Sequence, residues 1–242
     1  MKHSQDKRRR HRRYALSLHD VRVSGDDETV LKIEKVLDRY RVPLAVHLVF
    51  DEMLDEGSRL ARFLRKKMDE GLIEVVFHGL SHLCPETTGR LTSFYHKHQA
   101  EYLLDTEKLR DETREVYGHV REFTGRDAGI CPPCWIACRN NRIFLRKLNP
   151  VFVESLLSMD FSGRKFFSPV ISLGSPVKKE LIFLKAGARL MHLVALLLPG
   201  TRLRIAVHEC DLEIPQSLDF FAKRIELLDK KGFRPVLMSG LL

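Results

Sequence analysis

From Tyr14 onward, short apolar runs alternate with amphipathic stretches along the whole chain. Tyr14 to Leu18, Val42 to Phe50, Leu72 to Phe77, Ala128 to Cys131, Val151 to Glu154, Lys165 to Ser172, Leu203 to His208 and Arg234 to Met238 read as strands. Between them the apolar residues fall at helical spacing. Glu28 to Tyr40 sets Val30, Ile33, Val36 and Leu37 on one face, and Ser58 to Glu70 has Ser58 as N-cap with Gly71 as a stop. A long charged helix is expected from about Lys97 to Phe123, ended by Gly125, and further helices over Ile136 to Lys147, Ala186 to Leu198 and Ser217 to Lys231. At least six alternations of strand and helix argue for a parallel sheet wrapped by helices. About seven such units in roughly 230 residues predict an α/β chain folded as a distorted (β/α) barrel, with an open doubly wound sheet as the alternative. No repeat or low-complexity linker interrupts the body, so residues 14–242 are expected to form one domain.

Composition narrows the class. With 44% hydrophobic and 30% charged residues among 242, disordered, collagen-like and fibrous chains are excluded. The longest apolar stretch, Leu190 to Leu198, contains His192 and falls far short of the roughly 20 residues that span a bilayer, so a soluble protein without a membrane span is expected. The net charge of +9 is concentrated at one end. Residues 1–13 hold seven Lys/Arg and one Asp, which leaves 34 basic and 31 acidic side chains for the body. This tail reads as a solvated, disordered arm, at most a weak contact for nucleic acid or another polyanion. Five cysteines, an odd number, in a chain whose start lacks the apolar region of a secretory signal point to a reduced, cytoplasmic protein.

In both candidate folds chemistry collects where strands end at their carboxyl side. Four strand exits carry ionisable or metal-binding residues where plain connectors would show Gly, Asn, Ser or Lys: Ser17-Leu18-His19-Asp20-Val21, His78-Gly79-Leu80-Ser81-His82, Gly129-Ile130-Cys131-Pro132-Pro133-Cys134-Trp135 and His208-Glu209-Cys210-Asp211. His78 and His82, spaced one helical turn or one tight loop apart, can bring two imidazoles to one ion, with Asp20 as the natural third ligand. Two His and one carboxylate with open positions suit Zn²⁺ or another borderline divalent ion acting on water.

Taken in order, these segments resemble those of the polysaccharide deacetylases, metal-dependent carbohydrate esterases, and most of all a divergent bacterial branch with a similar Gly-x-x-Pro-Pro-x-Trp segment. The closing Gly232-Phe233-Arg234-Pro235-Val236-Leu237 resembles the last strand of that branch. The resemblance runs from about Tyr14 to Leu242. It implies a distorted (β/α) barrel, Asp20, His78 and His82 as metal ligands, and removal of N- or O-linked acetyl groups from a sugar or related amide or ester by metal-activated water. His208 falls at the position of the general acid and His19 at that of the general base, where the family has a carboxylate. Asp211 is expected to orient His208, with Trp135 and Pro133 at the substrate pocket. Two further departures accompany His19: the third segment lacks the Arg that pairs with the base carboxylate, and Gly79 stands where the family more often has Ser or Thr. A catalytically quiet barrel acting as a binding protein is the rival reading.

The remaining signals are weaker. Cys131-Pro132-Pro133-Cys134 has the spacing of a redox motif, but the Gly-x-x-Pro-Pro-x-Trp segment fills the same window. Cys84, Cys131, Cys134 and Cys210 all map to strand exits. Chance placement of small, easily buried residues beside a pocket accounts for the pattern, and a cross-strand disulfide or auxiliary soft-metal site, with thiols made acidic by a nearby ion, is the alternative. His47, His96, His98, His119 and His192 are expected to be satisfied or exposed imidazoles.

Overall fold

The structure, a computed structural model, describes residues 12–82, 100–173, 186–187, 189–190, 193 and 202–241. Seven parallel strands lie side by side in the order β5 (Val153–Ser155), β4 (Gly129–Ile130), β3 (Ile73–Phe77), β2 (Leu44–Val49), β1 (Arg13–Arg22), β9 (Arg202–His208) and β8 (Val170–Ser172). An antiparallel hairpin, β6 (Ser158–Phe161) and β7 (Arg164–Phe167), extends the β5 edge, and a short β10 (Arg234–Pro235) pairs with the start of β1. Hydrogen bonds from Ser168 N to Leu157 O (3.0 Å) and Val170 N to Leu156 O (3.1 Å) join the two ends of the sheet and curl it into a distorted barrel. Among the described residues these seven strands, leaving aside the two-residue β10 that also runs parallel to β1, match the expected number of about seven.

Alternation along the strands divides the core in two, because successive side chains leave a strand on opposite faces. Tyr14, Leu16 and Leu18 of β1, Val46 of β2 and Ile205 of β9 face the helices, with Val30, Ile33 and Leu64 in the same cluster. Ala15, Ala45 and Val76 line the inside with Cys131, Phe152 and Met159. The helices are α1 (Asp26–Tyr40), α2 (Arg59–Asp69), α3 (Glu107–Thr124), α4 (Arg139–Lys147) and α5 (Pro215–Lys230). Ser58 caps α2 as expected, accepting from Ala61 N at 3.0 Å. At the opposite end of the barrel from the strand exits, the one-turn helix Met238–Leu241 forms a plug: Ser239 N donates to Glu74 and Arg13 to the Gly240 carbonyl. No helix among the described residues is long and apolar enough to cross a membrane.

Three elements depart from expectation. The helix expected from Lys97 begins only at Glu107, where Thr106 caps it. Before it the chain makes a one-turn helix, Glu101–Leu103, that buries Glu101 and Tyr102, and residues 97–99 lie outside the described ones. The strand expected over Lys165 to Ser172 is divided at Ser168 and Pro169, since proline lacks the donor a ladder needs, and its halves pair with different partners. Arg234 to Met238 gives only the two-residue β10 before the plug. Of the helix expected over Ala186 to Leu198, residues 186, 187, 189, 190 and 193 are helical, and the others lie outside the described residues.

Candidate metal centre

The register of β1 against β2 shifts between Leu18 and Val21, and Asp20 has φ of +67°. Regular alternation would send His19 and Asp20 to opposite faces. The bulge re-aims Asp20, so both side chains reach the mouth of the barrel. On the next strands, His78 follows β3 directly, and a turn through Gly79 (φ +94°) brings His82 back beside it. Asp20 Oδ1 lies 3.2 Å from His78 Nε2 and 3.2 Å from His82 Nε2, while the two rings stand 5.1 Å apart. Both histidines are buried, and Asp20 is about a third exposed, which leaves the cluster open on one side.

The hydrogen bonds fix which atoms face one another. His78 Nδ1 lies 2.7 Å from the Cys131 carbonyl, which can only accept, so Nδ1 carries the proton and Nε2 turns a lone pair toward Asp20. Burial lowers the His78 pKa to about 4, against the pull of Asp20, so the ring is neutral at neutral pH. His82 Nε2 is buried and, despite its nearness to Asp20, has no hydrogen-bond partner among the described residues. The Asp20 carboxylate, the His78 lone pair and His82 Nε2 thus converge, with no proton between the first two. Two ligands about 2.1 Å from one zinc ion at a tetrahedral angle are about 3.4 Å apart, close to the spacing found here. The donor set therefore fits a divalent cation, and the His78 bond to a backbone carbonyl is the usual outer support of a metal-binding imidazole.

His19 and His208 are register partners on β1 and β9, their ring centroids 5.2 Å apart. The His19 ring also stacks on His47 at 3.8 Å and lies 5.2 Å from Trp135, which meets His208 edge-on at 5.8 Å. Burial holds His19 well below the ordinary imidazole pKa, assisted by the neighbouring histidines. For His208 burial acts the same way, but Asp211 and Asp20 outweigh it and raise the pKa. Asp211 is buried; its Oδ2 accepts from the His208 backbone N–H at 2.9 Å and lies 3.7 Å from Nδ1. Pro133 is buried against Gly79, under the metal loop.

Below this level lies a second polar cluster that sequence reasoning did not assemble. His47 Nε2 is 2.7 Å from Glu154 Oε1, and Arg204 donates to Glu154 Oε2 at 2.6 Å, all three fully buried. His47 is thus a satisfied imidazole, as expected, and His119 is exposed; His96, His98 and His192 lie outside the described residues. No disulfide joins the described cysteines. Cys131, Cys134, Cys138 and Cys210 are all free thiols, and burial raises the pKa of Cys131 and pushes those of Cys134 and Cys210 up to about 12. Cys84 lies outside the described residues. Glu101, which holds the metal loop, was also missed: nothing near it in sequence marks it.

No protein-family model and no curated protein matches the chain. Solved structures do. A Streptococcus mutans CE4 esterase is 11% identical with a TM-score of 0.55, over 98% of this chain and 90% of that one. A family 4 acetyl xylan esterase from Clostridium thermocellum, solved with a cobalt ion, is 16% identical with a TM-score of 0.52, over 94% and 89%. A CE4 family pseudoenzyme from Bacillus anthracis is 12% identical with a TM-score of 0.54, over 95% of this chain, which spans 65% of that protein. At the mouth of its barrel the chain carries a donor set that fits a divalent ion, and its fold is that of the CE4 esterases and deacetylases.

Proposed function

We propose that the chain is a metal-dependent hydrolase that removes N- or O-linked acetyl groups from a carbohydrate or a related amide or ester, its catalytic unit being residues 14–242. The observation that carries this reading is the convergence of Asp20, His78 and His82 with His208 on the neighbouring strand. Two imidazoles and one carboxylate favour Zn²⁺, which when bound supplies Lewis acidity to a water and to the acyl oxygen.

The chain's own groups divide the proton work. The Ser17 hydroxyl donates to the Ile205 carbonyl at 3.2 Å and accepts from His19 Nε2 at 2.9 Å. That tautomer leaves the lone pair on His19 Nδ1, which has no partner and is the atom able to take a proton from water. His208, whose pKa Asp211 and Asp20 raise against the effect of burial, gives a proton to the departing nitrogen or oxygen. Trp135 walls the pocket between the two imidazoles, and its buried indole N–H, without a partner, is free to donate to a substrate oxygen.

One observation favours a second reading, a barrel that holds an ion and a ligand without turnover. His19 replaces a carboxylate, and its burial makes it a weak proton acceptor. Zinc titration of metal-free protein, followed by acetate release from acetylated chito-oligosaccharides and acetylated xylan, separates the two. Stoichiometric zinc and chelator-sensitive acetate release are expected. Zinc binding without release on either substrate supports the quiet barrel, and absence of zinc binding removes both.

A further inference from the structure

We propose that Glu101 is a positioning residue of the metal centre: a buried carboxylate around which the loop Gly79 to His82 is wound, so that His82 is held as a ligand. The inference rests on the metal reading above and adds to it a residue that touches neither ion nor substrate.

Glu101 stands in the one-turn helix Glu101–Leu103 and is 2% exposed. Its Oε1 accepts from Leu80 N at 2.7 Å. Its Oε2 accepts from Ser81 N at 2.9 Å, Ser81 Oγ at 3.0 Å and His82 N at 3.0 Å. Three successive backbone N–H groups pointing at one centre form a nest, an arrangement that binds anions. Here the anion comes from the chain itself, and charge-assisted bonds of this kind are the stronger ones. The bond to His82 N fixes the backbone of a ligand whose own φ, +57°, is one that non-glycine residues seldom adopt. Without the carboxylate, that conformation and three buried donors would be left unsupported.

Gly79 is the complement of Glu101. Its φ of +94° suits glycine, and a Cβ placed there would lie 2.3 Å from Glu101 Oε1 and 3.0 Å from Pro133 Cγ. The space beside the first metal histidine, which the resembled family more often gives to Ser or Thr, is here occupied by a carboxylate arriving from 22 residues further along the chain. Glycine and carboxylate are therefore expected to act as a pair.

The test uses the full chain freed of metal, with zinc affinity measured by competition against a chromophoric chelator and the spectrum of bound Co²⁺ as a second readout. Glu101→Gln keeps the size but turns an N–H toward the nest. It should bind zinc about 10–100-fold more weakly and alter the Co²⁺ spectrum. Glu101→Ala empties the nest, and formate should restore its zinc affinity saturably while leaving the wild-type value unchanged. Gly79→Ala, which pushes Glu101 away without changing it, should lose affinity by a similar factor. Folded Glu101→Gln with wild-type zinc affinity and Co²⁺ spectrum would overturn the proposal while leaving the metal reading intact. Should neither Glu101 variant fold, Gly79→Ala decides by the same criterion. Wild-type protein that binds no zinc would overturn both.

Discussion

Two polar layers lie one above the other inside the barrel, joined by the His19 ring stacked on His47, and they are built from nearly the same kinds of residue. In the lower layer every ionised group is matched. Glu154 accepts from His47 and Arg204, and the rest of the Arg204 guanidinium reaches the carbonyls of Ser155, Leu156 and Ser168. The upper layer holds atoms that nothing among the described residues completes: His82 Nε2, His19 Nδ1, Asp211 Oδ1 and Trp135 Nε1 are all buried and without partners there. Burial and residue type are therefore poor guides to function here. Of the eight buried unpartnered polar atoms among the described residues, these four gather at the strand exits and none belongs to His47, Glu154 or Arg204, so unmet hydrogen-bonding capacity separates this layer from the one below. The geometry of the lower layer brings His47, Cys131 and Glu154 close enough to hold a metal. Its carboxylate oxygens already have their partners, so it needs none.

The largest effect should come from breaking the lower layer. Glu154→Gln leaves Arg204 buried without its counter-charge and is expected to cost about 3–5 kcal/mol, read by urea unfolding. Burial alone would raise the Glu154 carboxyl, but His47 and Arg204 lower it from its ordinary 4.5 to about 2. Its contribution is thus complete above pH 4.5 and is lost as pH falls toward 2, so the wild type should lose stability across that window more steeply than Glu154→Gln. Equal stabilities of the two proteins at pH 7 would erase the contrast between the layers.

In the upper layer the same kinds of substitution should act on function and spare the fold. His208→Ala is expected to lower kcat about 10²–10⁴-fold at unchanged zinc content, whereas Asp20→Ala loses zinc and activity together. Because the His208 pKa is raised, the protonated acid persists above the usual imidazole range, and kcat should fall as pH rises through that higher value. Metal-free Asp20→Ala should be as stable as metal-free wild type to within about 1 kcal/mol, since it removes a carboxylate that faces the His78 lone pair. A large loss of stability would place Asp20 with the scaffold instead. The smallest effect belongs to Trp135→Phe, which keeps an aromatic wall and removes only the unpartnered N–H. Stability within about 1 kcal/mol of wild type is expected, with a reduced kcat/KM; an unchanged kcat/KM would assign the indole to packing.

Much of the upper layer was legible because four of its residues stand at the ends of apolar runs: His19 and Asp20 after Leu18, His78 after Phe77, His208 after Val207. The strand cores were legible for the same reason. The lower layer was not. His47, Glu154 and Arg204 come from three distant strands, and their meeting depends on a barrel closure that no local pattern encodes. A faint signal existed, since Arg204 alternates with Leu203 and Ile205 on a strand otherwise buried, which puts a charge on an inside face. The β6–β7 hairpin escaped notice because its strands are four residues each and partly polar. Glu101 escaped because its partners are backbone N–H groups, which leave no mark on side-chain chemistry.

Anomalous diffraction from crystals grown with zinc, collected on both sides of the zinc edge, tests the difference between the layers most directly. One peak is expected, about 2.0–2.2 Å from Asp20 Oδ1, His78 Nε2 and His82 Nε2, with none beside His47, Cys131 and Glu154. A peak in the lower layer, or none at Asp20, would contradict the assignment of the upper layer as the metal centre.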